Sequence, residues 1–170
     1  MTIVAELQEI SSRGGTGSIA KGVHREIIQG KENTTTPYEL SPEESGALCV
    51  AGALTGQVWR LPTPAVGMWF EFFNTIANTS NEMKVVTRDT ATQFLLGSVI
   101  QASETLTQSG DVFTADGTSN HVDISQNGTT TGGEVGNYFV CTAISSTQWL
   151  IRGVLQNSGA DATDPFTDGT

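Results

Sequence analysis

From Tyr38 onward short apolar runs of about five to nine residues alternate with clusters of turn residues, the pattern of strands and not of helices. "ALCVAGAL" (47–54) is small, apolar and β-branched, which suits a strand buried on both faces. "GQVWRLP" (56–62) alternates instead, with Val58 and Arg60 on one face and Trp59 and Leu61 on the other, until Pro62 removes a ladder donor. Pro62 and Pro64 then fix a corner, Gly67 permits a tight re-entry, and "MWFEFFNTI" (68–76) leaves as a new strand. Further strands are expected at "MKVVTR" (83–88), "QFLLGSVI" (93–100), "DVFTA" (111–115), "HVDIS" (121–125), "NYFVCTAI" (137–144) and "QWLIRGVLQ" (148–156). In the last, Trp149, Ile151 and Leu155 share one face, and Leu150, Arg152 and Val154 the other. The linkers "TRDTAT", "TADGTSN", "SQNGTTTGGEVGN" and "SSTQ" are turn chemistry. Helix is confined to one turn in "SPEESGAL", capped at Ser41, with Pro42 first and Glu43 and Glu44 in the positive first turn.

The expected fold is therefore all-β: a single β-sandwich or barrel-like domain, β-tulip-like or jelly-roll-like, over residues 38–156. Residues 1–37 read differently. Between Ser12 and Pro37 the chain is poor in large apolar side chains and rich in Gly, Ser and Thr, which points to an extended N-terminal arm. Arg13, Lys21, Arg25 and Lys31 supply half of the 8 basic residues, so the arm is basic and the body acidic. Residues 157–170 form an acidic tail, expected to be mobile unless Phe166 docks on a neighbour.

Charge narrows the function. With 8 basic and 18 acidic residues the net charge is −10, which repels nucleic acid and anionic membranes, so neither is an expected partner. There is no apolar run long enough to span a bilayer, and the first residues carry acids where a secretory leader carries bases, so synthesis in the cytoplasm is expected. Cys49 and Cys141 each sit among apolar neighbours, which favours buried free thiols over a disulfide. Asn33, Asn78 and Asn127 head Asn-X-Ser/Thr triplets and are read as polar tips of turns.

Candidate chemistry is sparse. His121, Asp123 and Ser125 alternate along one strand, but side chains two residues apart stand about 7 Å from one another, too far for a proton relay. His24 lies in the charged segment "KGVHRE", where a solvated or interface role fits better than a general base. Asp111, Asp116 and Asp123 border a loop without the spacing of a calcium loop, and "RGGTG" and "TTGGEVG" lack the context of a phosphate cradle. Glu43 and Glu44 are adjacent and so diverge. Trp59, Trp69 and Trp149 could form a sugar-stacking platform, although core packing suits their neighbours better. No enzyme, cofactor or metal site is expected.

The corner "RLPTPAVGMWFEFFN", followed by "MKVVTRDTATQFLLGSVIQ" and closed by "TAISSTQWLIRGVLQ", resembles a recurring β-domain of tailed-bacteriophage virions. The matching positions are Leu61, Pro62, Gly67, Phe70, Gly97, Trp149 and Gly153, and the resemblance covers about residues 45–156. Such domains occur in capsid decoration (cement) proteins and in fibre tips, and usually trimerise. The resemblance implies a structural virion protein on the capsid surface, partnered by the major capsid protein and by itself as a homotrimer. In that reading the arm residues Arg13, Lys21, His24, Arg25 and Lys31 meet the shell. A fibre or receptor-recognition module and a carbohydrate-binding sandwich are the competing expectations; the first is disfavoured because the chain has neither heptads nor shaft repeats.

Overall fold

The Pro/Gly corner does not fold its two strands into a hairpin; it carries the chain from one sheet to the other. A computed structural model describes residues 25–52, 55–103, 110–159 and 161–168. In it β4 (Gln57–Arg60) belongs to a five-stranded sheet and β5 (Trp69–Asn74) to a seven-stranded one. Between them Pro62 and Pro64 are buried, Gly67 takes φ 90°, and the Gly67 N–H donates to the Ala143 carbonyl at 2.9 Å.

The same crossing is made repeatedly. β1 (Ile27–Gln29), β3 (Leu48–Ala51) and β5 lie parallel in the large sheet, while β2 (Asn33–Glu39), β4 and β6 (Met83–Val86) lie parallel in the small one. Each second crossing brings the chain back in the direction it left, so Ile27, Leu48 and Glu71 stack in register as successive turns of a coil. Beyond β6 come β7 (Phe94–Ser103), β8 (Asp111–Asp116), β9 (Asp123–Gln126), β10 (Tyr138–Ala143), β11 (Gln148–Asn157) and β12 (Phe166–Thr167). The large sheet runs β1-β3-β5-β10-β11-β7-β8 and the small one β12-β9-β6-β4-β2. The all-β expectation holds, as two mixed sheets enclosing one core.

Alternation fills that core. Trp59 on the small sheet meets Phe72 on the large one edge to face at 6.1 Å; Phe72 stacks on Phe139 at 5.0 Å, and Phe70 leans on Trp149 at 6.0 Å. Cys49 and Cys141 are free and buried in the same core, and burial pushes the Cys49 thiol up to about 12. One end of the interior is closed by carboxamides: Asn78 Nδ2 donates to the Gln126 carbonyl at 2.9 Å, and Asn137 Nδ2 donates to Gln126 Oε1 at 3.0 Å. Asn137 Oδ1 accepts from the Gln156 N–H at 2.6 Å, tying that layer to β11.

Three expectations are corrected. Residues 27–37, read as part of an extended arm apart from the body, are tied to it where Ile27–Gln29 pair with β3 and Asn33 pairs with Gln57 of β4. Their Thr-rich, Pro-containing sequence supplies only Ile28 to the core, yet as edge strands they gain ladder bonds, and an edge tolerates Pro37. The tail is not wholly free either, because Phe166 is buried and β12 pairs with β9. Of the three Asn triplets, Asn127 does organise a turn, accepting from the N–H groups of Thr129 and Thr130 at 2.8 Å each. Asn33 instead opens β2 and its Oδ1 accepts from the Val58 N–H at 2.6 Å, while Asn78 is buried.

Candidate interaction surface

The two sheets turn different faces outward. On the small sheet the outer charges are paired: Glu39 receives Arg60 at 2.8 Å and also Arg88, and Lys84 meets Glu82 at 2.9 Å. Burial pushes the Glu82 carboxyl up, but the Lys84 ammonium outweighs it and holds the group below the usual carboxylate range. Two open grooves of about 460 and 390 Å³ lie here, the first lined by Val58, Asn81, Glu82 and Lys84, the second by Arg60, Val86 and Thr87 to Thr90.

The outer face of the large sheet carries a continuous apolar row. Register places Val112, Ile100, Val154, Tyr138 and Phe73 side by side across five strands, β8 to β5. Four of them are open to solvent: Val112 by 65%, Ile100 by 51%, Val154 by 48% and Tyr138 by 39%. The next row reads Thr114, Ser98, Arg152, Val140, Glu71, Leu48 and Ile27, and the one beyond it Asp116, Leu96, Leu150, Thr142 and Trp69. A solvated antiparallel face normally alternates to polar residues at these positions, so this face departs from the pattern of an exposed sheet.

Among the residues assigned to partner binding, Arg13, Lys21 and His24 lie outside the described residues. Arg25 is described, and it is spent within the chain. Its guanidinium donates to Glu71 Oε2 at 2.6 Å, to the Gly46 carbonyl at 3.0 Å and to the Ala47 carbonyl at 3.3 Å, and lies 5.0 Å from the Trp69 ring centroid. Arg25 therefore pins the entering chain across the large sheet. Burial raises the Glu71 carboxyl, and hydrogen bonds from Arg25 and Tyr138 with the Arg25 charge overcome that and leave it lowered. Lys31 is exposed between β1 and β2.

The motif residues have structural work. Leu61, Phe70 and Trp149 are fully buried. Gly97 takes φ 133° at the centre of β7, where a methyl group would stand 2.1 Å from the Ile151 carbonyl oxygen. At Gly153 the obstacle is Phe139, whose Cβ would be 2.3 Å away. Pro62 is buried in the corner with Gly67.

His121, Asp123 and Ser125 do not form a relay. The His121 ring turns back to Asp116, Nδ1 to Oδ1 2.7 Å, and packs edge-on to Phe166, whereas buried Asp123 accepts from the Thr167 hydroxyl. Burial holds the Asp123 carboxyl above its ordinary range, while the Thr118 hydroxyl and His121 hold Asp116 below it. Among the described residues no group of three or more His, Cys, Asp or Glu is placed to hold a metal, and no helix is long and apolar enough to cross a membrane. Trp59 and Trp149 are in the core and Trp69 lies under Arg25, so the three do not share a platform. Sequence reasoning missed the apolar outer face, though its signal was present: Val99-Ile100, Val112-Phe113 and Val154-Leu155 place apolar side chains on both sides of one strand.

Compared with known proteins, the chain matches no family model, no curated protein and no solved structure.

Proposed function

We propose that this protein is a structural virion protein: a capsid decoration (cement) protein that binds the outer surface of a phage head as a trimer and stabilises the shell. The observation that carries the reading is the division of the body into one ion-paired face and one face crossed by an exposed apolar row, which suits a molecule that works by adhesion. The corner-and-glycine pattern at Leu61, Pro62, Gly67, Phe70, Gly97, Trp149 and Gly153 supports it through the virion domains it resembles. Trimers convert three weak shell contacts into one avid attachment. With Arg25 held by Glu71, the cations left for the shell are Arg13, Lys21 and Lys31, together with His24 when protonated.

The test is a count of copies on purified virions, joined to a binding assay with shells lacking the protein. Hundreds of copies per particle support decoration; a handful indicates a fibre or vertex protein, and none refutes the proposal. Deleting residues 1–24 removes no described strand, so the body folds and shell binding is lost; undiminished binding would refute the role given to the arm.

A further inference from the structure

We infer that the outer face of the large sheet is a self-association surface, and that its occupant is another copy of this chain. The inference deepens the trimeric reading above by naming the surface through which subunits meet, and it is measurable without any shell.

Size comes first. With strands about 4.8 Å apart the middle row spans about 29 Å and the other two about 19 Å, and three rows two residues apart cover about 20 Å along the strands, giving on the order of 450 Å² in projection. Two such faces bury about 900 Å² in projection, above most chance contacts and at the lower end of specific interfaces. Charge selects the partner. The chain carries −10 overall, so copies repel one another through most of their surface. Yet of 18 acidic residues only Glu71 and Asp116 fall in the three rows; Glu71 is neutralised by Arg25, and Asp116 stands at the margin on β8 beside His121. Arg152, exposed in the second row and without an ion pair among the described residues, offsets Asp116, so the three rows carry no net charge. A second copy can therefore approach here with its acidic surfaces turned away. The first row, Val112 to Phe73, supplies the apolar contact, and Tyr138 adds an aromatic ring with a polar tip, a side chain favoured in such contacts.

The experiment is sedimentation velocity on the full chain through a micromolar concentration series, with Val154→Glu and Val112→Lys in parallel. The wild type is expected to sediment as an oligomer. Val154→Glu puts an unpaired carboxylate in the middle of the face and should weaken association about 30-fold or more. Val112→Lys lies on the outermost strand, where a long cation cannot disturb the core, so it keeps the test valid if Val154→Glu fails to fold. Native tryptophan fluorescence checks folding of each variant. A wild type that is monomeric throughout overturns the inference, whether the face stays open or residues 1–24 cover it. An oligomer unchanged by every folded variant overturns it too, because copies then meet elsewhere. Failure here leaves shell binding to be judged by the virion count, and a protein absent from virions can still associate through this face.

Discussion

Replacing Gly97 with alanine tests whether the pairing of β7 and β11 holds the large sheet together. Two costs arise at that residue. The backbone sits at φ 133°, a region essentially reserved for glycine, which costs about 1–3 kcal/mol for any other residue. The added methyl would also lie 2.1 Å from the Ile151 carbonyl oxygen and 3.1 Å from the Ile151 nitrogen, so β7 must move away from β11 by about 1 Å. These strands are paired in parallel without interruption from Phe94↔Gln148 to Ser103↔Asn157, so the displacement strains ladder bonds on both sides, worth about 1 kcal/mol each. The total is about 3–6 kcal/mol, a large part of the stability of an ordinary domain. Gly67→Ala is the internal control: φ is 90°, but nothing stands within 4 Å of the added carbon, so only about 1–2 kcal/mol is lost. Urea unfolding followed by the fluorescence of buried Trp59 and Trp149 reads both variants on one scale. A Gly97→Ala protein within 1 kcal/mol of wild type, or more stable than Gly67→Ala, refutes the reasoning; failure to fold beside a folded Gly67→Ala supports it.

Three further outcomes follow from the packing. Arg25→Ala should cost about 1–2 kcal/mol at pH 7, from one partly exposed ion pair and two bonds to backbone carbonyls. Because the folded-state Glu71 group is lowered from 4.5, its contribution is full above that value and is lost as pH falls through the folded-state value. The gap between wild type and variant in urea melts must therefore narrow in acid, and a gap that widens there contradicts the assignment. Asn137→Ala leaves Gln126 Oε1 and the Gln156 N–H unpaired in a buried layer and should lose about 2–4 kcal/mol, against less than about 1 for exposed Thr90→Ala; equal losses would remove the carboxamide layer from the account. The Cys49 thiol, pushed up to about 12 by burial, and the fully buried Cys141 should resist an aromatic disulfide reagent in the native state and react only in step with unfolding; prompt native labelling would show the core to be open.

Every strand expected between residues 47 and 156 forms, because alternation and β-branched runs report a pleated, half-buried backbone wherever it goes. What alternation does not report is the neighbour. "RLPTPAVGMW" reads equally as a turn within one sheet or a crossing between two, and the choice rests on long-range pairings such as Leu48 with Glu71 and Gln57 with Met83. β1, β2 and β12 escaped notice for a different reason. They are short or Thr-rich, contribute Ile28, Tyr38 and Phe166 in place of an apolar run, and are held chiefly by backbone bonds to strands already present. Of the candidate partner residues, Arg25 was legible as a basic group but not as an internal clamp, since Glu71 and Trp69 lie far from it in sequence.

The edges of the two sheets bear on how copies of such a body can meet. A sandwich can join another edge to edge, through unpaired backbone groups, or face to face, through side chains. Each edge here is poorly suited to the first route. β2 contains Pro37 and a register irregularity between Asn33 and Tyr38, β1 has three residues and β12 two. β8 is longer, but Asp111 and Asp116 stand at its two ends, where a second acidic chain would be repelled. Short, proline-bearing and charge-tipped edges suppress open-ended strand addition, while the apolar rows of the large sheet have no comparable guard. The fold therefore blocks the contact that grows without limit and leaves available the one that can close on a symmetry axis.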